Sequence, residues 1–315
     1  MVKIAFHIDQ LCIRGTSVAL YDYAKYNQEL LNGKSVIIIP ENSQNDLRIV
    51  NKFLNHFELF IYKNIDNLEK ILQNENVNIL YCIKYGTNDR IFSKKIKTII
   101  HCVFDMSEPH GDIYCGVSKS LSNKYGKDLF VPHMISLKPG KTENFRKELG
   151  ILDTDIVFGR YGGFDTFDLL FCINVINKIC DERKDIYFLF ANTPKFSKNK
   201  NIIYIDVLIE DSIKNKFIST CDAFLECNSL GHSFGLALGE FSVNNKPIIV
   251  FKDEYLWNTE HIKILGEKGI YFETEQEFQN ILKNFDKETY KNLDLNCYKE
   301  YTPEKVMKLF SNAFI

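Results

Sequence analysis

Short apolar runs alternate with helical patterns along most of the chain, and this alternation constrains the fold more than any other feature. The first series places strands at 2–9, 35–39, 58–62, 78–83, 97–103, 113–117 and 128–131, with a helix at 17–31. The second series places strands at 155–160, 186–190, 202–205, 222–226 and 247–251, with helices at 166–182, 210–219, 235–244 and 259–267. Apolar strands separated by helices predict α/β architecture, with parallel sheets that helices cover on both faces.

The interruption between the two series predicts two domains. At 315 residues the chain is longer than a single hydrophobic core usually supports, and its length suits two domains of about 150 residues each. Pro139 and Gly140 break the pattern inside a charged segment at 134–150. We therefore predict a first domain at 1–140, a second at 141–300 and a helix at 301–315 that starts with Thr302 and Pro303.

Composition excludes several classes of function. The formal charge of -2 gives no basic field, which disfavours nucleic acid as the main partner. No apolar run approaches the length of about 18 residues that spans a bilayer, although peripheral membrane contact stays open. Nine cysteines without a Cys-x-x-Cys pair indicate reduced thiols and a cytoplasmic protein, and no clustered ligands indicate a metal site.

The segment 228–247 has the pattern of a buried strand end, a tight loop and the start of a helix. Backbone amides from Ser233 through Phe234 and Gly235 to Leu236 would be placed to bind phosphate, and glycine permits close approach. Glu240, one to two turns later, could accept hydrogen bonds from ribose hydroxyls; alternatively it is a solvated helix carboxylate. This layout predicts a nucleotide-sugar site.

Two further residues carry chemistry suited to such a site. Arg160 follows a strand and precedes Gly162 and Gly163, where a guanidinium could grip two phosphate oxygens. His101 ends another strand, where an imidazole could hydrogen-bond a sugar hydroxyl or the departing phosphate. Arg160 could also be there by chance, and His101 could be a polar residue that the protein itself satisfies.

For two loops of the first series, the sequence is compatible with either a binding role or a purely structural one. The turn at 14–17 offers Gly15 and Thr16 for close approach and for capping a helix from Val18, or it is an ordinary strand-to-helix turn. His110 lies in a Pro-Gly turn that we expect to be exposed, where it could serve an acceptor or merely mark the turn.

In their order and spacing these motifs resemble the GT-B glycosyltransferases, and among them glycosyltransferase family 4. The matching segments are 14–17, His101, 116–121, 131–133, 159–160, 221–225, 233–240 and 245–247. The resemblance implies two Rossmann-like, doubly wound domains facing across a cleft, with the C-terminal helix crossing back to the first domain. It also implies a nucleotide-sugar donor, transfer with retention, and contact of the base near Asp206 to Leu208.

Two positions depart from the family pattern. The family pairs two glutamates across seven residues, and the resemblance implies that the first contacts the donor sugar. His232 stands there in this chain, with Glu240 in the second position. The family's lysine about five residues after the arginine is also missing, since Phe164, Asp165 and Thr166 occupy that neighbourhood.

The resulting expectation is a cytoplasmic glycosyltransferase acting on a glycan or another hydroxyl acceptor. The donor site would use Arg160, the 233–236 amides and Glu240, with His232 and His101 near the reacting sugar. Gly15 and Thr16 would bind the nucleotide sugar or border the acceptor, His110 would lie on the acceptor side, and no metal or other cofactor is expected. A GT-B nucleotide-sugar epimerase and a non-catalytic nucleotide-sugar binding protein remain as alternatives.

Overall fold

The computed structural model describes residues 1–140 and 143–315. The chain forms two compact units: the first comprises Met1–Ser136 with Glu300–Ile315, and the second comprises Leu137–Lys299. The start that the sequence predicts for the second domain, residue 141, lies outside the described residues.

The first unit is built on a six-stranded parallel sheet. Its strands are β1 (Lys3–His7), β2 (Lys34–Pro40), β3 (Glu58–Tyr62), β4 (Ile79–Lys84), β5 (Lys97–Cys102) and β6 (Ile113–Gly116). Its helices before residue 136 are α1 (Gly15–Leu31), α2 (Leu47–Leu54), α3 (Ile65–Asn74) and α4 (Lys119–Lys124). The strand order is β3-β2-β1-β4-β5-β6, and the central strands are buried because helices exclude water from both faces.

The second unit contains another six-stranded parallel sheet. Its helices are α5 (Arg146–Leu149), α6 (Leu170–Glu182), α7 (Asp211–Thr220), α8 (Leu236–Val243), α9 (Glu260–Leu265) and α10 (Glu275–Asn284). Its strands are β7 (Ile156–Tyr161), β8 (Ile186–Ala191), β9 (Ile202–Ile205), β10 (Ala223–Glu226), β11 (Gly231–His232), β12 (Ile248–Phe251), β13 (Asn258–Thr259) and β14 (Ile270–Phe272). Short 3-10 helices span Gly266–Lys268 and Lys287–Tyr290.

The two large sheets share one topology. The order β14-β12-β10-β7-β8-β9 in the second unit repeats that of the first when its six strands are counted along the chain. Strand order reverses between β1 and β4 in the first sheet, and between β7 and β10 in the second. Such reversal points are where open α/β sheets bind ligands, beyond the carboxyl ends of the strands. β11 and β13 form a separate two-stranded parallel ribbon.

The last helix, α11 (Pro303–Phe314), belongs to the first unit and packs against α1. Its Phe310 ring stacks on Tyr23 of α1 at a centroid distance of 5.3 Å. Pro303 occupies the first turn, as expected, while Thr302 takes the N-cap position without a side-chain hydrogen bond. Burial of one apolar face therefore holds this helix in place.

Several elements differ from the sequence-based expectation. The strand expected at 128–131 is reduced to a single bridge between Phe130 and Gly116. α1 begins at Gly15 rather than after a Thr-Ser cap, and the side chain of Ser17 instead accepts a hydrogen bond from the amide of Cys12. Within 1–140 and 143–315, no helix is long and apolar enough to cross a membrane.

Candidate functional site

The reversal point of the second sheet gathers polar side chains at one edge. β7 ends at Tyr161 and β10 ends at Glu226, and these two strands are neighbours in the sheet. The chain then passes through β11 into α8, whose Glu240 returns to contact β7. We define the candidate site as this edge together with the start of α8.

The start of α8 offers unpaired backbone amides. Gly235 is its N-cap, with φ of 87° and ψ of 68°, a left-handed conformation that glycine adopts without strain. No side chain in the described ranges caps this helix, and its first turn holds no acidic residue. The first-turn amides of Leu236, Ala237 and Leu238 therefore have no intrahelical partner, and the positive end of the helix dipole reinforces their preference for an anion.

The loop before α8 is fixed by the protein. Tyr298 donates a hydrogen bond to the carbonyl of Phe234 at 2.9 Å, and the two rings meet edge to face. Ser233, Phe234 and Gly235 are all buried, so this loop has little freedom to change shape. The structure thus brings the predicted 233–236 residues together at the helix start.

Glu240 is buried and bound on both carboxylate oxygens. Nζ of Lys214 in α7 lies 2.5 Å from Oε1, and the hydroxyl of Tyr161 donates to Oε2 at 2.6 Å. Burial and the negative charge of Glu240 raise the pKa of Tyr161 well above its usual value, so the phenol stays protonated. A solvated helix carboxylate does not describe this residue, which is 5% exposed.

His232 lies against a buried carboxylate. Its Nε2 is 3.0 Å from Oε2 of Glu226, within ion-pair distance, although the angle is not that of a hydrogen bond. The His232 side chain is 23% exposed and that of Glu226 only 4%. The second oxygen of Glu226, Oε1, has no hydrogen-bond partner within the described residues.

The backbone of His232 is held from the other side. β11 pairs with β13 through Gly231, whose φ of 67° and close approach to the carbonyl of Asn258 leave no room for a Cβ atom. Nδ1 of His261 lies 3.2 Å from both the amide nitrogen and the carbonyl oxygen of His232, and the two imidazoles meet edge to face. Burial, followed by the nearby His232, lowers the pKa of His261 to about 3, so His261 is neutral at neutral pH.

Arg160 is enclosed in the protein with its two terminal nitrogens already bonded. Nη1 donates to Thr193 at 2.6 Å, while Nη2 donates to the carbonyl of Gly163 and to Thr166 at 2.9 and 2.5 Å. Its exposure is 1%, and Nε has no partner among the described residues. Burial lowers its pKa, an effect that the carboxylate of Glu226 opposes. In this arrangement Arg160 organises the loops after β7 and β8 and presents neither terminal nitrogen to a ligand.

His101 is completely buried in the first unit. Nδ1 is 2.5 Å from the hydroxyl of Tyr81, and Nε2 is 2.8 Å from the carbonyl of Val131. Burial lowers its pKa to about 4. The second interpretation offered by the sequence, a histidine satisfied by the protein, describes these contacts, and neither ring nitrogen is open to a ligand.

The other predicted residues of the first unit differ in exposure. His110 is 8% exposed rather than on an open loop, with Nδ1 bonded to the carbonyl of Glu108 at 2.7 Å and Nε2 buried without a partner in the described part. Gly15 is exposed and Thr16 partly so, at the start of α1, whose N-cap likewise lacks a side-chain hydrogen bond. Only the 15–16 turn therefore offers surface to a ligand.

Glu226 and Lys214 are polar residues of the site that sequence reasoning missed. Glu226 looks like the last residue of an apolar strand, and Lys214 looks like a charge on a helix surface. A carboxylate directly after a run of buried residues is a signal that could have singled out Glu226. Among the described residues, no group of three or more His, Cys, Asp or Glu is placed to hold a metal ion.

No protein-family model and no curated protein sequence matches the chain. Among solved structures, HepE of Anabaena in complex with UDP-glucose is similar, with a TM-score of 0.75 and 12% identity over 99% of both chains.

Two further solved structures are similar over nearly their whole length. MnaA of S. aureus in complex with UDP has a TM-score of 0.64 and 14% identity over 100% of this chain and 98% of that one. A glycosyltransferase from Rickettsia africae has a TM-score of 0.64 and 11% identity over 99% and 94%. Together with the two matching sheets, these likenesses establish the fold as GT-B, with two Rossmann-like domains in tandem.

Proposed function

We propose that this protein is a glycosyltransferase that moves a sugar from a nucleoside diphosphate donor to a hydroxyl acceptor, with retention of configuration. The observation that carries the proposal is the uncapped start of α8 beside His232, at the reversal point of the second sheet. That edge combines an anion-binding helix end with side chains able to hydrogen-bond a sugar.

The diphosphate would lie on the amides of Leu236, Ala237 and Leu238. Negative charge grows on the leaving diphosphate as the bond to the sugar breaks, and fixed amides stabilise it without reorganisation. Charge stabilisation by these amides makes a metal ion unnecessary in the proposal. Arg160 would act indirectly, by fixing the loops that carry Gly163 and Thr193.

Glu240 would bind the ribose, as the sequence pattern suggests. Each carboxylate oxygen has two lone pairs, so the bonds to Lys214 and Tyr161 leave acceptor capacity for a hydroxyl. Residues near Asp206 to Leu208 would contact the base. On the acceptor side the proposal retains Gly15 and Thr16, whereas His101 would have to leave its present hydrogen bonds to take part and His110 has only its buried Nε2 unbonded among the described residues.

The solved relatives suggest which donor to test first. HepE was crystallised with UDP-glucose and MnaA with UDP, and the Rickettsia africae relative is described as a glycosyltransferase. A uridine diphosphate sugar is therefore the first candidate for this chain.

The test is a panel of UDP, GDP and ADP sugars measured by thermal shift, followed by product analysis with and without acceptors. A ligand that binds only the folded state raises its stability, so the true donor should raise the melting temperature more than the others. Transfer to a hydroxyl acceptor supports the proposal. Conversion of the donor without an acceptor indicates an epimerase, binding without turnover indicates a binding protein, and no shift for any member removes the site assignment.

A further inference from the structure

The family pattern has a glutamate where this chain has His232, and the structure places a carboxylate beside this histidine from a different strand. Glu226 ends β10, six residues before His232, and its Oε2 lies 3.0 Å from Nε2 of the imidazole. The side chain of Glu226 is 4% exposed and that of His232 is 23% exposed, so the imidazole is the member of the pair that is more open to a ligand.

The pair gives the imidazole a direction. Nε2 faces Glu226, whereas Nδ1 has no hydrogen-bond partner among the described residues and is not one of their buried unpartnered atoms. The backbone of His232 is fixed by β13 and His261, and the edge-to-face contact with His261 leaves the ring little freedom. A proton on Nε2 would lie towards a carboxylate acceptor at 3.0 Å, and a change of angle would complete the hydrogen bond.

We propose that Glu226 is a positioning residue that holds His232 as the Nε2–H tautomer, so that the lone pair of Nδ1 accepts a hydrogen bond from a hydroxyl of the donor sugar. The inference rests on the proposed function for the identity of the ligand. It gives the histidine the acceptor role of a carboxylate, with Glu226 as the group that fixes the tautomer.

The first test needs no ligand. Ring-nitrogen chemical shifts of the full chain, labelled with 15N-histidine, report the tautomer at pH 7, and His232→Asn identifies the signals of His232. We expect the Nε2–H tautomer in the wild type. In Glu226→Gln we expect part of the population to shift to Nδ1–H, because an amide can donate to Nε2. An imidazolium or Nδ1–H form in the wild type, or an unchanged tautomer in Glu226→Gln, overturns the inference.

The second test uses calorimetry with UDP and UDP-glucose as probes. Glu226→Gln should leave the affinity for UDP within about twofold and weaken that for UDP-glucose about tenfold, as expected for one lost hydrogen bond to the sugar. In the His232→Asn background the same substitution should have no further effect, because asparagine has no tautomer to fix. A merely structural role for Glu226 would weaken both probes in both backgrounds, which contradicts the inference. If neither probe binds the wild type, the proposed donor fails, while the tautomer measurement still decides the role of Glu226.

Discussion

The two units repeat one strand order but use the carboxyl edges of their sheets differently. In the first unit, His101 lies inside β5, one residue before its end, with both ring nitrogens bonded inside the protein. In the second, His232 lies in β11, six residues beyond β10, with a partly exposed ring whose Nε2 faces the buried carboxylate of Glu226. A histidine near the carboxyl end of a strand is therefore common to both edges, and its hydrogen-bond partners decide whether it can serve a ligand.

The units also differ in what their histidines do for stability. In the first unit, burial lowers the pKa of His7 and His133 to about 3 and that of His101 to about 4. In the second unit, burial lowers the pKa of His261 to about 3. The core of the first unit thus contains several neutral imidazoles. In the second unit, the partly exposed imidazole of His232 lies in the candidate site.

The largest expected effect is the response of the two units to acid. The folded-state pKa values of about 3 to 4 lie below that of a histidine in the unfolded chain, so the unfolded state binds more protons between about pH 6.5 and pH 3. Stability is therefore constant above this window and falls as the pH drops through it, by about 2–3 kcal/mol per buried histidine at pH 4.5. We expect hydrogen exchange measured by mass spectrometry to show the first unit opening before the second.

His133→Phe provides the control for this experiment, because phenylalanine cannot take up a proton. The variant should lose less stability than the wild type between pH 7 and pH 4.5, whatever its stability at pH 7. Earlier opening of the second unit would contradict the assignment of acid sensitivity to buried histidines.

Glu240→Ala should give the next largest effect. It removes the carboxylate that Lys214 and Tyr161 contact inside the second unit, and breaking such a buried pair costs about 3–5 kcal/mol. Urea unfolding should show this loss in the second unit and not in the first. Glu240→Gln retains an acceptor and should lose less; equal losses in the two variants would mean that the charge is unimportant.

Gly235→Ala should have a smaller effect, because alanine is strained at its left-handed φ of 87° and its Cβ would lie 3.2 Å from the hydroxyl of Tyr298. We expect a loss of about 1–2 kcal/mol from the conformation, plus the cost of the contact. Gly126 of the first unit is the matched control, with φ of 66° and open space around the position of a Cβ atom. If Gly126→Ala costs as much in thermal unfolding, the packing around Gly235 contributes nothing.

Much of the fold could be predicted from the sequence. Parallel strands buried on both faces are nearly continuous apolar runs, so β2, β4 and β9 match their predicted positions to within a residue or so. The 128–131 run contains apolar residues as well, but its strand pairing is limited to one bridge between Phe130 and Gly116. The helices α2, α3 and α10 are not among those predicted from the sequence, although side-chain caps at Asp46, Asn64 and Thr274 mark their starts.

The candidate site could be predicted only in part. The start of α8 depends on residues that are close together in the sequence. The glycine and the spacing of the apolar residues predict its first residue to within one position. The contacts of Glu240 and His232 depend instead on Lys214, 26 positions from Glu240, and on Glu226, which sheet and loop geometry brings to the imidazole. A single sequence contains no direct record of such contacts, so the enclosure of Arg160 could not be predicted, and that of His101 was one of two interpretations that the sequence left open.

The most direct test of the nucleotide site is UDP affinity after a change of charge at Ala237, in the first turn of α8. Ala237→Glu places a carboxylate where the helix dipole stabilises it but where it repels a diphosphate, and Ala237→Gln is the neutral control of similar size. Calorimetry should show UDP binding about tenfold weaker for Ala237→Glu and within about threefold of the wild type for Ala237→Gln. Equal UDP affinities for wild type and Ala237→Glu would contradict the assignment of the diphosphate to this helix.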